Sequence, residues 1–313
     1  MSILAGGIAE AGTKGHIFKP ITVNVPPSRR RPTLKAVVFN AAGGRYFSEI
    51  VERLRRPPLQ DADVIFLCEA DWRLGRSNGR EFAADLAKEL GMSFTFIAEF
   101  GTPLSLGEPQ GFVGNAILST QPLDYVYAVP LPSLHINRRL LRLVGSPCGL
   151  VAKANFNGRS ISLGVAHLNS RIDPVGRDQQ MTAYLANFPA QGAAIIGGDF
   201  NTTTLSLRSW NEVLKSVKCL VMQPWRLRRP ETLEPLFQRL AEAKFKLRDA
   251  NVLGKSTFTF SGMIPPLIRP KLDWIAPRML KAVPRSAAVV RAHSVPFARR
   301  ISDHDFVVCD FHV

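Results

Sequence analysis

Short apolar runs recur along the chain from residue 34 onward, and some of them are separated by stretches with helical spacing. The run LKAVVFN (34–40) is rich in β-branched and aromatic residues, which is typical of a buried strand. Tyr46, Ile50 and Leu54 recur at every fourth position, so they predict one apolar helix face that ends before Pro57. The same criteria predict further helices at 79–90, 176–188, 208–218 and 232–243, and further strands at 64–69, 93–99, 112–119, 125–129, 149–156, 161–168, 193–197, 256–260, 271–276, 286–293 and 305–313.

The order of these elements indicates the fold class. Strands often follow one another directly, whereas the strands of a purely parallel sheet would alternate with helices throughout. We therefore predict an α/β protein in which two mixed sheets pack on each other and helices cover their outer faces. Residues 34–313 contain no internal repeat and no long linker, so we expect one domain there, and residues 1–33 predict a poorly ordered basic leader with a short strand near 21–25.

The apolar stretches and the cysteines bear on the compartment. No apolar stretch approaches the ~20 residues of a membrane-spanning helix, and the N-terminus lacks the early basic residue of a secretory signal. Cys68 and Cys309 lie in apolar runs, where a buried free thiol is expected, and the chain contains no CxxC motif. We therefore expect a cytoplasmic protein without a transmembrane segment, and we expect a monomer.

Several predicted strands end in polar residues of the types that enzymes use for catalysis. Asn40 and Glu69 end two of the apolar runs, and His167 lies near the end of ISLGVAHL. Other such residues follow, interrupt or precede later strands: Asp199, Asn201, Asp273, Asp303 and His304. Each residue alone could be a turn residue, a solvated carboxylate or a hydrogen-bonded core histidine. Their recurrence at strand ends favours a shared site.

If these strand ends converge, they suit a hard divalent cation and an anionic substrate. Mg²⁺ takes oxygen ligands and is usually held by one or two carboxylates together with water and substrate phosphate. Amide groups can bind phosphate oxygens without adding negative charge, and imidazoles can move a proton or stabilise charge that develops at phosphorus. The residue types therefore favour metal-assisted phosphate chemistry.

The motifs around these residues resemble the endonuclease/exonuclease/phosphatase superfamily, which includes deoxyribonuclease-type nucleases, abasic-site endonucleases, sphingomyelinases and inositol-polyphosphate phosphatases. The resemblance extends from about residue 34 to the end of the chain, and its most specific parts are GGDFN (197–201) and SDH (302–304). It implies a four-layer α/β sandwich with the active site at one edge of two packed sheets, and Mg²⁺- or Mn²⁺-dependent phosphoester hydrolysis. The other motifs agree in order and rough spacing: FN (39–40), CE (68–69), GNAILS (114–119), AHL (166–168) and KLDWI (271–275).

The resemblance also implies roles for the metal-binding and water-activating residues. Glu69 would be the main metal ligand, and Asn40 and Asp303 would be further ligands. Asp199 would orient or deprotonate the attacking water, while Asn201 would bind a phosphate oxygen.

The remaining candidates would contact the substrate or orient a group that does. His304 would touch the scissile phosphate, and Asp273 would orient its ring and keep it protonated. His167 would lie beside the leaving group or a phosphate oxygen. Asn115 would help to position the phosphate, and Arg171 is a further substrate-binding candidate from a basic segment of the chain.

The chain departs from the family pattern at three positions. Ala42 occupies a position that is polar in many nuclease members, and Cys68 replaces the Gln of abasic-site endonucleases. His167 stands where those repair enzymes have a different residue. These departures argue against a dedicated abasic-site repair enzyme and favour the deoxyribonuclease, sphingomyelinase and phosphatase branches, without choosing among them.

The charge distribution bears on the substrate. Forty basic and 25 acidic residues give a formal net charge of +15, which favours an anionic partner. Basic residues dominate three segments, at 125–172, 213–230 and 250–302, where Asp273 is the only acidic residue. If these segments share the face of the site, they would form a groove suited to a nucleic-acid backbone. A nuclease or nucleic-acid phosphodiesterase is therefore the leading hypothesis.

Two other functions stay open at the level of sequence. Arg138, Arg139 and Arg142 lie among leucines, so this stretch could rest on an anionic membrane and serve a phosphodiesterase or phosphatase of lipid head groups. A catalytically inactive binding protein is the third possibility. It is disfavoured because GGDFN and SDH are intact.

Overall fold

The computed structural model describes residues 17–28, 31–101, 111–133, 145–205, 218, 222–259, 265, 268–294 and 299–313. The strands are β1 Ile21–Val23, β2 Thr33–Asn40, β3 Val64–Trp72, β4 Ser93–Gly101, β5 Phe112–Ser119, β6 Asp124–Pro130, β7 Cys148–Phe156, β8 Arg159–Val165, β9 Ala193–Asp199, β10 Asp273–Arg278, β11 Lys281–Ala282, β12 Ala288–Val290 and β13 Phe306–His312. The α-helices within these ranges are α1 Phe47–Leu54, α2 Phe82–Leu90, α3 Pro174–Ala186 and α4 Leu236–Glu242.

The strands form two mixed sheets. The larger sheet has eight strands in the order β1-β4-β5-β3-β2-β13-β11, with β12 paired to β13. The smaller sheet has five strands in the order β10-β9-β8-β7-β6. The pairs β2–β3 and β8–β9 are parallel, and the other pairs are antiparallel. The predicted α/β class with two mixed sheets is confirmed.

The alternation of side chains along the strands separates the apolar layers. On β2, Val37 and Phe39 pack toward α1 and α2, whereas Leu34, Ala36 and Val38 pack toward the smaller sheet. A third apolar cluster joins the outer face of the smaller sheet to α3 and α4. The layers are therefore helices, sheet, sheet and helices, as expected for a four-layer sandwich.

Strand direction brings the candidate residues to one edge of this sandwich. Because β2 and β3 are parallel, Asn40 at the end of β2 lies beside Cys68, which precedes the bulge at Glu69 within β3. Because β13 is antiparallel to β2, β13 begins at that same edge, just after His304. In the smaller sheet, β10 is antiparallel to β9, and Asp273 lies directly opposite Asp199.

Several predicted elements differ from the structure. In the segment predicted as a strand at 256–260, the described residues 256–259 form no ladder, and the one bridge among them pairs Phe258 with His304. His167 lies beyond the end of β8 rather than within the strand predicted at 161–168. The strand predicted at 286–293 is limited to β12, and the helix predicted at 232–243 is shortened to α4 by an initial 3-10 turn at Pro230–Thr232.

Other predictions fall partly on residues outside the description. Apart from residue 218, the helix predicted at 208–218 lies outside the described ranges, as do residues 1–16 of the predicted leader. The strand predicted near 21–25 is β1, which pairs antiparallel with Phe94–Phe96 of β4. Within the ranges that the structure covers, no helix combines the length and apolar character needed to span a bilayer.

Candidate active site

Asn40 lies at the centre of the cluster, at the end of β2. Its side chain is fully buried, and its Nδ2 donates to Glu69 Oε1 and to Asp199 Oδ2, both at 3.0 Å. Its Oδ1 accepts the backbone N–H of Ala42 at 3.0 Å, and its backbone carbonyl accepts Ser302 Oγ at 2.8 Å. Asn40 therefore joins the two sheets and bridges two carboxylates.

Glu69 is turned toward solvent by a bulge in β3. Leu67 pairs with Ala116 and Ala70 pairs with Gly114, so two residues of β3 oppose one residue of β5. Glu69 has a φ of 52°, a left-handed conformation that is costly for a residue with a side chain. Its side chain is 36% exposed, which makes it the accessible carboxylate of the cluster.

Asp199 is almost completely buried at the end of β9. Its Oδ1 accepts the backbone N–H of Asn201 at 2.9 Å, and its own N–H points at Cys68 Sγ at 3.4 Å. The preceding Gly198 has a φ of 149°, and a Cβ there would lie 2.0 Å from the carbonyl oxygen of Ala166. Glycine is therefore required where β9 crosses residue 166 and delivers Asp199 to the cluster.

His304 and Asp273 form a buried pair. His304 Nδ1 lies 2.8 Å from Asp273 Oδ2, and His304 Nε2 lies 3.6 Å from Asp199 Oδ2. The backbone N–H of Asp273 donates to Thr257 Oγ1 at 3.0 Å, and that of His304 donates to Ser302 Oγ at 3.1 Å. Both partners are thus fixed by side-chain hydroxyls on neighbouring segments.

His167 has the same arrangement on the other side of the cluster. Its Nδ1 lies 3.4 Å from Oε2 of the buried Glu99, and its Nε2 lies 3.8 Å from Glu69 Oε1. The backbone N–H of Cys148 donates to the other Glu99 oxygen at 3.3 Å. Each imidazole therefore has one nitrogen against a buried carboxylate and the other toward a carboxylate in the cluster.

These carboxylates control the charge of both imidazoles. Burial alone would lower the pKa of His304, but Asp273 and then Asp199 raise that pKa to about 10. Burial likewise opposes the charge of His167, yet the Glu99 hydrogen bond and charge raise its pKa to about 10. Both rings are therefore protonated at neutral pH and can donate from Nε2.

The charge of Glu69 is favoured in turn. Burial would raise the pKa of Glu69, but His167, the Asn40 hydrogen bond and other nearby cations outweigh burial and lower it. Arg76 is one of those cations. It is held by Asp71, whose two oxygens accept from Arg76 at 2.6 and 2.8 Å.

The structure does not bring every sequence candidate into this cluster. Asn201 is buried, and its Nδ2 donates to the Leu168 carbonyl at 2.7 Å. Asn115 donates to the Cys148 carbonyl at 3.1 Å, so it contacts the segment that also holds Glu99. On β5, Asn115 is also the residue that opposes the bulge of Cys68 and Glu69, because its neighbours pair with Leu67 and Ala70.

Asp303 and Arg171 are placed less directly. The carbonyl oxygen of Asp303 accepts the backbone N–H of Thr259 at 2.9 Å, but its carboxylate belongs to neither cluster of possible metal ligands found among the described residues. Arg171 is exposed, and its backbone N–H donates to Asn169 Oδ1 at 2.8 Å. The predicted roles of Asp303 as a metal ligand and of Arg171 in substrate binding therefore stay predictions.

Glu99 and Thr257 are site residues that the sequence analysis did not single out. Glu99 lies 68 positions from His167 and within an otherwise apolar strand. The one available signal was the rule that a buried carboxylate needs a partner. Thr257 belongs to a segment that was expected to be an ordinary strand, so its hydroxyl had no predicted function.

The donor set fits a hard divalent cation. Ligand atoms of Glu69, His167 and Asp199 lie within 4.8 Å of one another. The two carboxylates are the oxygen donors that such a cation takes, whereas a protonated His167 ring has no lone pair to offer. Glu69 could hold the ion directly, because its carboxylate is the exposed one. Asn40 presents its amide nitrogen to the two carboxylates, so ligation through its oxygen would require rotation of the amide.

Comparisons with known proteins agree with this fold. The sequence matches the profile of the Endonuclease/Exonuclease/phosphatase family over residues 37–304. A search of curated protein sequences finds no match. Among solved structures, an endonuclease/exonuclease/phosphatase from Beutenbergia cavernae DSM 12333 is similar, with a TM-score of 0.61, 19% identity, and coverage of 90% of this chain and 72% of that one.

Two further structures share the fold. The human Nocturnin catalytic domain with bound sulfate anion has a TM-score of 0.59 at 19% identity, covering 93% of this chain and 96% of that one. D. rerio TDP2 complexed with a single-strand DNA product has a TM-score of 0.55 at 18% identity, covering 90% of this chain and all of the other. The family profile covers most of the chain, including the cluster residues from Asn40 to His304. This chain therefore belongs to the Endonuclease/Exonuclease/phosphatase family of phosphoester hydrolases.

Proposed function

We propose that the protein is a Mg²⁺-dependent phosphodiesterase that cleaves nucleic acid, with Mn²⁺ as an alternative ion. The observation that carries the proposal is the pair of carboxylate-backed imidazoles, His167 with Glu99 and His304 with Asp273. The other ring nitrogen of His167 faces Glu69, and that of His304 faces Asp199. This arrangement places two cationic donors and two anionic acceptors where a phosphodiester and a water would meet.

His304 binds the scissile phosphate in this proposal. Its Nδ1–H is directed to Asp273, so its Nε2–H is left to donate to a non-bridging oxygen. A positive charge aimed at that oxygen stabilises the charge that grows as water attacks phosphorus. Because the donor is already oriented and protonated, little reorganisation accompanies the reaction.

Asp199 orients the attacking water and accepts its proton. Two hydrogen bonds, from Asn40 Nδ2 and from the Asn201 backbone, hold this carboxylate in one orientation. Asn201 acts mainly by fixing the loop after β9, since its side chain is bonded to Leu168. The end of β9 thus fixes the carboxylate that aligns the attacking water and accepts its proton.

His167 donates a proton to the leaving oxygen. It lies on the Glu69 side of the cluster, opposite His304, as a leaving group opposite the attacking water requires. Glu99 keeps the ring charged and directs Nε2 toward the pocket. General acid catalysis of this kind typically contributes ~10²–10⁴-fold to the rate.

The divalent ion would be held by Glu69, with Asn40 as a second ligand through its amide oxygen. When bound, such an ion neutralises phosphate charge and lowers the barrier to attack. Asp303, which follows Ser302 and precedes His304, is proposed as a further ligand. Asn115 is proposed to position the phosphate, and Arg171 is proposed to bind the substrate.

The net charge of the chain and two similar structures favour nucleic acid as the substrate. The formal charge of +15 favours a polyanion. The basic segment that contains Arg226, Arg228 and Arg229 is tied to the active-site strand through the Leu227 carbonyl, which accepts the N–H of Lys271 at 2.8 Å. The similar structure of TDP2 holds a DNA product, and that of Nocturnin holds a sulfate anion.

The test is turnover of a panel of phosphoesters with Mg²⁺, Mn²⁺ or EDTA. We expect cleavage of single-stranded DNA, RNA or plasmid, and of bis(p-nitrophenyl) phosphate, that EDTA abolishes. Turnover in EDTA, or no cleavage of any phosphodiester, would contradict the proposal. Preferential hydrolysis of sphingomyelin micelles with a flat salt profile would instead assign the enzyme to lipid head groups.

A binding measurement separates the metal site from activity. Mn²⁺ should raise the melting temperature of the wild-type protein, because the ion binds the folded cluster. Glu69→Gln should lose this shift, whereas Glu89→Gln should keep it, because Glu89 pairs with Arg55 on the surface. An equal shift in both variants would remove Glu69 as a ligand.

A further inference from the structure

A basic surface pocket with an exposed indole is lined in part by Ser256, the residue before Thr257. The pocket is about 580 Å³ in volume, and its lining includes Trp225, Arg228, Arg229, Lys255 and Ser256. Trp225 is 48% exposed, whereas Trp72 and Trp274 are buried in the core. A single exposed aromatic residue is common at protein surfaces, but beside cations it offers a face on which a planar ligand could stack.

Both walls of this pocket are fastened to the active-site strand. On one wall, Ser256 precedes Thr257, whose hydroxyl accepts the N–H groups of Leu272 at 2.9 Å and Asp273 at 3.0 Å. On the other wall, the Leu227 carbonyl accepts the N–H of Lys271 at 2.8 Å. The pocket is therefore held at a fixed position relative to Asp273 and the histidine that it orients.

The charge of the pocket suits phosphate groups. Arg228, Arg229 and Lys255 contribute three cations, and the lining residues within the described ranges include no acid. Lys255 is exposed, and its Nζ donates one hydrogen bond to the Val289 carbonyl at 3.0 Å. The ammonium group has three N–H donors, so the other two can bind a ligand. Gly254, between the two walls, has a φ of 76°, a left-handed conformation that favours glycine.

We propose that this pocket is a subsite for single-stranded nucleic acid, in which one base stacks on Trp225 and the neighbouring phosphates contact Arg229 and Lys255. The choice of nucleic acid rests on the proposed function, but binding here does not require cleavage. A strand anchored in this pocket would lead its next phosphodiester toward His304. Stacking tolerates any base, so the subsite selects unpaired strands rather than a sequence.

An anionic membrane is the competing occupant. Met222 is 71% exposed and lies close in sequence to Trp225 and to the same arginines, a combination that can also rest on lipid head groups. A pocket favours the strand, because a base needs a concave aromatic wall flanked by cations, whereas a bilayer needs a convex apolar surface. The experiment below includes both ligands.

The test is binding of a fluorescently labelled oligothymidylate to the full chain in EDTA, followed by anisotropy. Trp225→Ala should weaken binding by roughly 5- to 100-fold, the range of one lost base stack, while Trp225→Phe should recover most of the affinity. Tyr125→Ala is the matched aromatic control, since Tyr125 is 75% exposed on the far end of the smaller sheet. It should bind like the wild type.

Lysine variants test the phosphate contact independently. Lys255→Ala should weaken binding several-fold and lower the slope of log affinity against log salt by about one. Lys246→Ala is the control, because Lys246 is an exposed cation whose backbone contacts Pro277, toward the opposite end of β10. This control should leave the slope unchanged.

The outcomes distinguish this inference from the proposed function. Equal affinities for Trp225→Ala and Tyr125→Ala would overturn the subsite, even if DNA is cleaved. Trp225-dependent sedimentation with phosphatidylserine vesicles, with oligonucleotide affinity unchanged, would also overturn it and identify a membrane contact. If oligonucleotide binding depends on Trp225 and Lys255 but no phosphodiester is hydrolysed, the subsite stands and the catalytic proposal fails.

Discussion

Two groups of charged side chains differ in whether their positive and negative charges are equal in number. In the catalytic cluster, four carboxylates surround two imidazoles: Glu69, Glu99, Asp199 and Asp273 around His167 and His304. Beside α3, Arg177 and Glu234 form a completely buried ion pair with one charge of each sign. The first group has spare negative charge, and the second has none.

Hydrogen bonding follows the same difference. Both Glu234 oxygens accept from Arg177, and Glu234 also accepts the N–H of Thr204, in the loop that follows Asn201. Asp273 Oδ1 is buried and has no hydrogen-bond partner among the described residues. A satisfied pair holds a loop in place, whereas an excess of buried carboxylates persists because a ligand can compensate it. We therefore expect charge balance to separate structural charges from catalytic ones.

The largest expected effect concerns the unbalanced group. His304→Ala should lower kcat on bis(p-nitrophenyl) phosphate by roughly 10²–10⁴-fold, because the phosphate loses its oriented donor. Asp199→Ala should do the same through the attacking water. The melting temperature should change little, and the exposed His312→Ala should keep full activity. A His304 variant with near-wild-type kcat would remove the cluster from catalysis.

The balanced pair should respond in the opposite way. Arg177→Met leaves Glu234 charged and buried, so the free energy of unfolding should fall by about 3–5 kcal/mol, with kcat per folded molecule nearly unchanged. Adding Glu234→Gln should recover part of the loss. Arg239→Met, which breaks the exposed pair with Asp178, is the control and should have little effect in urea unfolding. If Arg177→Met lost activity but not stability, the comparison would fail.

The sequence predicted the parts of this cluster that lie at strand ends. Asn40, Asp199 and His304 could be found because an apolar run stops at a polar residue of catalytic type, and parallel strands end at one edge. Glu99 also ends the strand predicted at 93–99, but it lies in none of the family motifs, so the sequence analysis did not single it out. Its partner His167 is fixed only by the packing of one sheet on the other.

The sheets were predictable for the same reason, and the segment at 256–260 shows the limit. STFTF has the composition of a strand. In the structure, however, the Thr257 carbonyl accepts the N–H of Asp305, and the Thr257 hydroxyl accepts the N–H groups of Leu272 and Asp273. These contacts replace a ladder. Local composition does not reveal such long-range hydrogen bonding, so the element was wrong although its residues matter to the site.

An intermediate effect is expected at Glu99, which belongs to the unbalanced group but contacts His167 rather than the substrate. Glu99→Gln should lower kcat by roughly 10²-fold, because His167 loses the partner that orients and charges its ring. The backbone contact to Cys148 can be kept by the amide oxygen. Glu89→Gln, an exposed substitution of the same kind, is the control. A loss of stability without a loss of kcat would reassign Glu99 to the structural group.

The smallest expected effect tests whether an arginine in a charge-balanced pair, Arg76 with Asp71, also binds the substrate. Arg76 is 40% exposed, and both its Nε and its Nη2 are fixed by the buried Asp71 close to Glu69. Its remaining N–H groups should contact a substrate phosphate, so Arg76→Gln should raise KM by roughly tenfold and change kcat little. Arg80→Gln is the matched control, because Arg80 has similar exposure and a surface pair with Asp85. Equal KM values for the two variants would show that Arg76 is structural, and a fall in kcat alone would place it with the catalytic residues.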